Sequence, residues 1–351
     1  MESFELPLPD GGVVSGLYNF PALTTSPTQL PLIICVPGGS YDAQYFDANA
    51  DHSILAVSQK VEIPVISLNR PCYGTTTAVP ASTDDLKYGE KQGRYLDSTI
   101  LPTLWKEFAR KSGATGIVLL AHSIGAMMAT IVAGSHDESS GYPLVGLITS
   151  GIGTELAEGP RGVMIHLLNE SSDLVDFDLA AKDAIMFQWP HQCLIDPKIC
   201  EYTGQLNKPV PSGELDDINR NWLGYWRQYS DNVRVPLMYG LSEFDGLWTS
   251  GQRIVDDYRA AFQSSPLVNS QIIPNAPHCI ELSLQSKAWF LKCCGFALEC
   301  VVSKGLRGAL EDPPMEENTE DDGAENESRE RRGITTLVYT TTRYEPNTEE
   351  W

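Results

Sequence analysis

Apolar residues along this chain fall into two alternating kinds of stretch. The first kind is short and almost unbroken: PLIICV (31–36), IPVISL (63–68), GIVLL (116–120) and LVGLITS (144–150). Short apolar runs rich in β-branched residues are what strands buried on both faces look like. VRVPLMYG (233–240) and VNSQIIP (268–274) repeat the pattern later, while FELPL (4–8) and VVSGLYNF (13–20), joined around PDGG, predict a hairpin at a sheet edge. The second kind has helical spacing and fills the gaps at 47–60, 84–113, 124–134, 251–263 and 282–300. Asp47 stands where it can cap the first of these, and Gly113 stops the second. Strand and helix in alternation predict an α/β architecture: a mostly parallel central sheet flanked by helices.

One segment breaks the rhythm. Residues 151–233 separate two strand-like runs by about 80 positions, too long for a bare loop in a compact domain. Helical patterns at 171–189 and 214–229 predict a helical insertion, a cap over the sheet's C-terminal edge. The expected organisation is therefore a core in two parts, 1–150 and 234–304, the cap at 151–233, and a tail at 305–351. That tail is acidic and poor in apolar residues, so 305–333 is expected to be disordered. Its last piece, ITTLVYTTTRYEPNTEEW, alternates like a strand with no evident partner.

Composition narrows the function classes. With 351 residues, 42% of them hydrophobic, the chain can bury one large α/β core with an insertion. A net charge of −21 argues against a nucleic-acid or anionic-membrane partner, since phosphate binding needs a basic face. Part of that charge is local: residues 309–333 hold ten Asp or Glu against three Arg. The first residues, MESFELPLPDGG, show no signal-peptide pattern, and no apolar run reaches the ~18 residues of a membrane span. The eight cysteines lack zinc-ligand spacing, and reduced thiols are expected, although Cys193 and Cys200 are near enough in sequence to bridge. A cytoplasmic protein acting on a small molecule, without metal or organic cofactor, is the reading these features favour.

The chemistry begins in LLAHSIGAMM (119–128), where Ser123 lies between a buried strand and a helix. Small residues two positions either side relieve crowding at a sharp strand-to-helix turn, the setting of a nucleophile elbow. By itself the pattern is weak, arising by chance in about one chain in four of this size. The context strengthens it. A serine hydroxyl needs a neighbouring base, and the base needs an orienting acid. Asp245 stands just past one later strand and His278 just past the next, in the order Ser, acid, His. Glu243 and, less well placed, Glu155 are rival acids. Oxyanion donors are expected from the N–H of Ile124 and from that of Gly39, in the VPGGSYDAQYF loop (36–46) after an early strand. Trp189, Trp222 and Trp226 suit helix packing; if the cap covers the site, they and Tyr41 and Tyr45 are candidates for an apolar acyl pocket.

Taken together, PGG (37–39), NRPCYG (69–74), AHSIGA (121–126), YGLSEFD (239–245) and NAPHCIELS (275–283) resemble the α/β-hydrolase superfamily. The resemblance spans roughly residues 3–150 and 234–300, and places 151–233 where that family carries its cap. It implies a Ser123–His278–Asp245 triad with an oxyanion hole at Gly39 and Ile124. Pro37 stands where many members have His, and Ala121 where most have Gly; neither removes a backbone donor. More loosely, the chain is similar to stand-alone hydrolases of fungal secondary-metabolite pathways. The expected activity is hydrolysis of a carboxylic ester or thioester of a mid-sized apolar substrate through an acyl-enzyme. The alternatives are a triad-based lyase or cyclase, and a non-hydrolytic binding protein on the same fold.

Overall fold

Buried runs become the middle of a sheet because only there are both faces of a strand covered. In a computed structural model, which describes residues 1–311 except 26, 82 and 172, eight strands form one sheet. They are β1 (Glu2–Pro7), β2 (Val13–Asn19), β3 (Pro31–Val36), β4 (Val65–Leu68), β5 (Gly116–His122), β6 (Leu144–Ser150), β7 (Leu237–Phe244) and β8 (Val268–Pro277). Their order is β1-β2-β4-β3-β5-β6-β7-β8. β1 and β2 form the expected hairpin, with Glu2 opposite Tyr18 and Pro7 opposite Val13, and β2 pairs antiparallel with β4. From β4 to β8 every pairing is parallel. Every residue of β3, β4, β5 and β6 is buried, whereas β1 alternates at the edge.

Helices cover both faces. The longer ones are α1 (Tyr88–Tyr95), α2 (Leu101–Ser112), α3 (Ile124–Ser135), α4 (Glu158–Glu170), α5 (Leu179–Phe187), α6 (Gln252–Ala260) and α7 (Ser286–Glu311). A π-helical turn, Leu96–Ile100, joins α1 to α2, and Gly113 ends α2 in the left-handed conformation at φ 70°. One apolar core collects α1, α2, α3 and α6 on one face of the sheet, and a second collects α7 and the 41–63 region on the other. Among the described residues no helix is long and apolar enough to cross a membrane. All eight cysteines are free.

Three expectations need correcting. The helix predicted over 47–60 is a two-stranded ribbon, Asp47–Asn49 with His52–Ser53, followed by one helical turn, Leu55–Ser58. Asp47 caps nothing, because its carboxylate accepts from Ser53 Oγ and the terminal ammonium of Met1. Among the described residues of 171–189 only Leu179–Phe187 is helical, capped by Asp178, which accepts from the Ala181 N–H at 2.9 Å. At the other end, α7 runs through Glu311, into the stretch expected to be disordered. The rest of that tail, with its strand-like end, lies outside the described residues.

Candidate active site

Ser123 is the single residue between β5 and α3, and its backbone sits at φ 54°, ψ −123°. A non-glycine residue there costs on the order of 1–3 kcal/mol and persists only where its surroundings over-determine it. Here they do. The Ser123 N–H donates to the Ser150 carbonyl of β6 at 2.8 Å, and its carbonyl accepts from Ala126 and Met127 N–H at 2.8 and 3.1 Å. Glycines make the close approach possible. A Cβ on Gly38 would stand 2.9 Å from Ser123 Cβ, and one on Gly125 would stand 2.5 Å from the Pro37 carbonyl oxygen.

Two further strand ends meet this turn. Asp245 follows the last residue of β7 and His278 the last of β8. Ser123 Oγ lies 3.2 Å from His278 Nε2. His278 Nδ1 lies 2.9 and 3.0 Å from the two Asp245 carboxylate oxygens. The Asp245 side chain is fully buried, and its Oδ1 also accepts from the Leu247 and Trp248 N–H groups at 2.9 and 3.0 Å. The rival acids are placed elsewhere. Glu243 is exposed and accepts from the Asn275 N–H at 2.8 Å; Glu155 pairs with Arg253 at 2.6 Å on the surface.

Ser123, Gly39 and Ile124 line one cavity of about 480 Å³, its open mouth included. Neither the Gly39 nor the Ile124 N–H donates to a backbone acceptor among the described residues. A Cβ on Gly39 would stand 2.7 Å from Ile124 Cδ1, so the two donor-bearing segments are in contact. The remaining walls come largely from the 151–233 segment: Met164 on α4, Met186 on α5, Phe177, Val210, Leu215 and Ile218. Leu247 and Trp248, beside Asp245, complete them. Apart from Ser123 and Asn219 every lining side chain is apolar or glycine. Sequence reasoning missed these wall residues, since nothing in their spacing marks them.

The aromatic residues expected to form an acyl pocket do not line this cavity. Trp222 and Trp226 are 1% and 3% exposed and belong to the core shared with α3 and α6; Trp226 stacks on Tyr258 at 5.4 Å. The end of the 151–233 segment thus packs as part of the sheet's helical layer. Trp189 is half-buried against the opposite core, and Tyr41 packs beneath the ammonium of Lys182, 3.9 Å from its ring. Large aromatics report burial more directly than they report binding. Trp226→Ala is accordingly expected to remove about 3–5 kcal/mol of stability and to leave KM for an aryl ester unchanged; denaturation and steady-state kinetics check both.

A second buried polar cluster backs the first. Glu281, three residues after His278, accepts from Tyr45 Oη (2.8 Å), Ser150 Oγ (2.7 Å) and Trp289 Nε1 (2.9 Å). Burial pushes its carboxyl up, against the pull of those donors. His122 Nδ1 stands 3.1 Å from Ser150 Oγ, and its ring stacks on Tyr45 at 4.9 Å. Burial, with His278 adding to it, holds His122 well below the usual histidine range. These contacts tie the turn that carries His278 to β6 through Ser150, with His122 Nδ1 also 3.4 Å from the Glu281 carboxylate. Among the described residues no group of His, Cys, Asp or Glu is placed to hold a metal ion.

A strained serine between a strand and a helix, on a sheet of this order, suggested where the chain's relatives lie. A model of the alpha/beta hydrolase family matches residues 33–288. The chain belongs to that family. No curated protein sequence matches it. Among solved structures, an esterase from Thermogutta terrifontis is 15% identical, with a TM-score of 0.55 over 86% of this chain and 100% of that one. An esterase from Exiguobacterium antarcticum is 13% identical, with a TM-score of 0.56 over 85% of this chain and 100% of that one. The proline iminopeptidase of Mycobacterium smegmatis is 17% identical, with a TM-score of 0.55 over 86% of this chain and 100% of that one. At such identities the likeness is one of fold.

Proposed function

We propose that the protein is a serine hydrolase that cleaves a carboxylic ester or thioester of a mid-sized apolar substrate through an acyl-enzyme. The observation that carries this reading is the unbroken contact chain Ser123 Oγ–His278 Nε2, His278 Nδ1–Asp245, opening on an apolar cavity. In it, His278 takes the Ser123 proton as Oγ attacks the carbonyl, and Asp245 holds the imidazolium that forms. The Gly39 and Ile124 N–H groups receive the developing oxyanion. His278 then returns the proton to the leaving group and activates the water that releases the acyl chain. The 151–233 segment serves as the cap: its Met164, Met186, Leu215 and Ile218 supply apolar wall where an acyl chain would lie.

Reaction with a fluorophosphonate probe, followed by peptide mapping, tests the reading. Labelling of Ser123 is the expected result; labelling elsewhere, or none, removes it. The cavity makes a further prediction. Each methylene buried contributes about 0.8 kcal/mol, so kcat/KM for p-nitrophenyl esters is expected to rise roughly fourfold per added carbon until the cavity is filled. Met186→Trp, which projects bulk into the same space, is expected to move that optimum to shorter chains. An unchanged chain-length profile would place the acyl group elsewhere.

A further inference from the structure

The motif NRPCYG (69–74) has no part in the proton relay, and α5 buries a lysine that the chemistry above does not use. Both lead to the same loop, at neighbouring residues: Arg70 to the Gly38 carbonyl and the lysine, Lys182, to Ser40. Arg70 Nη2 donates to the Gly38 carbonyl at 2.9 Å, and its Nη1 pairs with Glu214. Tyr73 Oη accepts from the Ser40 N–H at 3.2 Å and donates to Glu214 at 3.0 Å. Glu214 lies on the 151–233 segment, so even the core's grip on this loop is completed from there.

Ser40 is held harder still. It sits in the left-handed region at φ 63°, where a serine is strained. Lys182 Nζ donates to its carbonyl at 3.2 Å and to its Oγ at 2.9 Å. The same ammonium reaches the Leu206 carbonyl at 3.3 Å and Asn207 Oδ1 at 3.2 Å. Ser40 Oγ donates to Asn207 Oδ1 at 2.9 Å, and the Lys208 N–H donates to the Ser40 carbonyl at 3.1 Å. All four acceptors of Lys182 are uncharged, and the side chain is buried; burial pulls its pKa down to about 7. A buried ammonium without a carboxylate contact is unfavourable. Gly39 lies between the two clamped residues, Gly38 and Ser40.

We infer that Lys182 is a positioning residue for the reaction: by tying Ser40 to the 206–208 segment it holds the loop next to Gly39, whose N–H is assigned to the oxyanion. Seating of the 151–233 segment and assembly of the oxyanion hole are then one event. The inference rests on Ser123 being the nucleophile. It concerns the transition state more than substrate binding, because a donor displaced by even an ångström loses the oxyanion while the apolar walls stay in place.

A pair of ligands separates these effects. An alkyl trifluoromethyl ketone adds to a serine nucleophile and places an oxyanion in the hole, whereas the corresponding methyl ketone of equal chain length only fills the cavity. For Lys182→Met, the trifluoromethyl ketone is expected to bind about 30-fold more weakly and the methyl ketone within twofold of wild type. With p-nitrophenyl hexanoate, kcat should fall by a similar factor while KM holds. Lys182→Gln, which keeps an N–H donor on a shorter stem, is expected to fall between and guards against a folding failure of the first variant. Equal weakening of both ketones in both variants, or no weakening of either, overturns the inference. Failure of the wild-type protein to prefer the trifluoromethyl ketone overturns the nucleophile reading, and the inference falls with it.

Discussion

Ser123→Ala is expected to lower kcat for an aryl ester by at least about 10⁴-fold and to abolish fluorophosphonate labelling, with little change in stability. The size of the effect follows from what the hydroxyl does. In the proposed mechanism it is the atom that bonds to the acyl carbon, so what would survive its removal is the contribution of the proposed oxyanion donors and the binding walls. The small stability change follows from what the hydroxyl does not do. Among the described residues its one hydrogen bond is the 3.2 Å contact with His278. The turn at φ 54° is held by backbone bonds to Ser150, Ala126 and Met127, which alanine keeps. Burst-phase kinetics with p-nitrophenyl hexanoate, beside a thermal melt of the same sample, measure both quantities. Retained turnover would transfer the chemistry to another group; lost turnover with lost folding would say nothing about the nucleophile, which is why the melt belongs to the experiment.

The parts of this site that were legible in the sequence are those set by local rules. A buried strand, a small-residue turn and a helix fixed the surroundings of Ser123, and Asp245 and His278 each follow a strand whose apolar run is unmistakable. Parallel strands bring their C-terminal ends to one edge, so residues far apart in sequence were directed to one place by strand order alone. The cavity wall was not legible. Met164, Phe177, Met186, Val210, Leu215 and Ile218 come from short helices and loops whose docking depends on tertiary contacts, and no period links them. The tryptophans follow the first of the two readings their spacing allowed: Trp222 and Trp226 stand at helical intervals because they pack on α3 and α6, and the conditional acyl-pocket reading fails for them. Clamps such as Arg70–Glu214 and Lys182–Ser40 were equally hidden, being pairings across 142 or more positions. The misread helix at 47–60 shows the converse, where an apolar period and an apparent cap lost to a side-chain bond, Ser53 to Asp47.

Asp245→Asn is expected to cost about 10⁴ in kcat while leaving KM and the fold close to unchanged, and the geometry says why. Asp245 Oδ1 accepts from two backbone N–H groups, Leu247 and Trp248. An asparagine keeps those bonds only by leaving its amide oxygen in that position, which turns its NH₂ toward His278 Nδ1. A donor at the Oδ2 position, 3.0 Å from Nδ1, disfavours a proton on that nitrogen, so the balance shifts to the tautomer protonated at Nε2, the atom 3.2 Å from Ser123 Oγ. In that tautomer Nε2 cannot take the serine's proton. The site would be correctly shaped and wrongly protonated. Glu243→Gln supplies the contrast. Its carboxylate caps the Asn275 N–H on the surface, and the change is expected to leave kcat within twofold. If the two variants were instead affected in the opposite order, the acid would be Glu243, and the loop after β7 would have to deliver it to His278 by a rearrangement of Asn275.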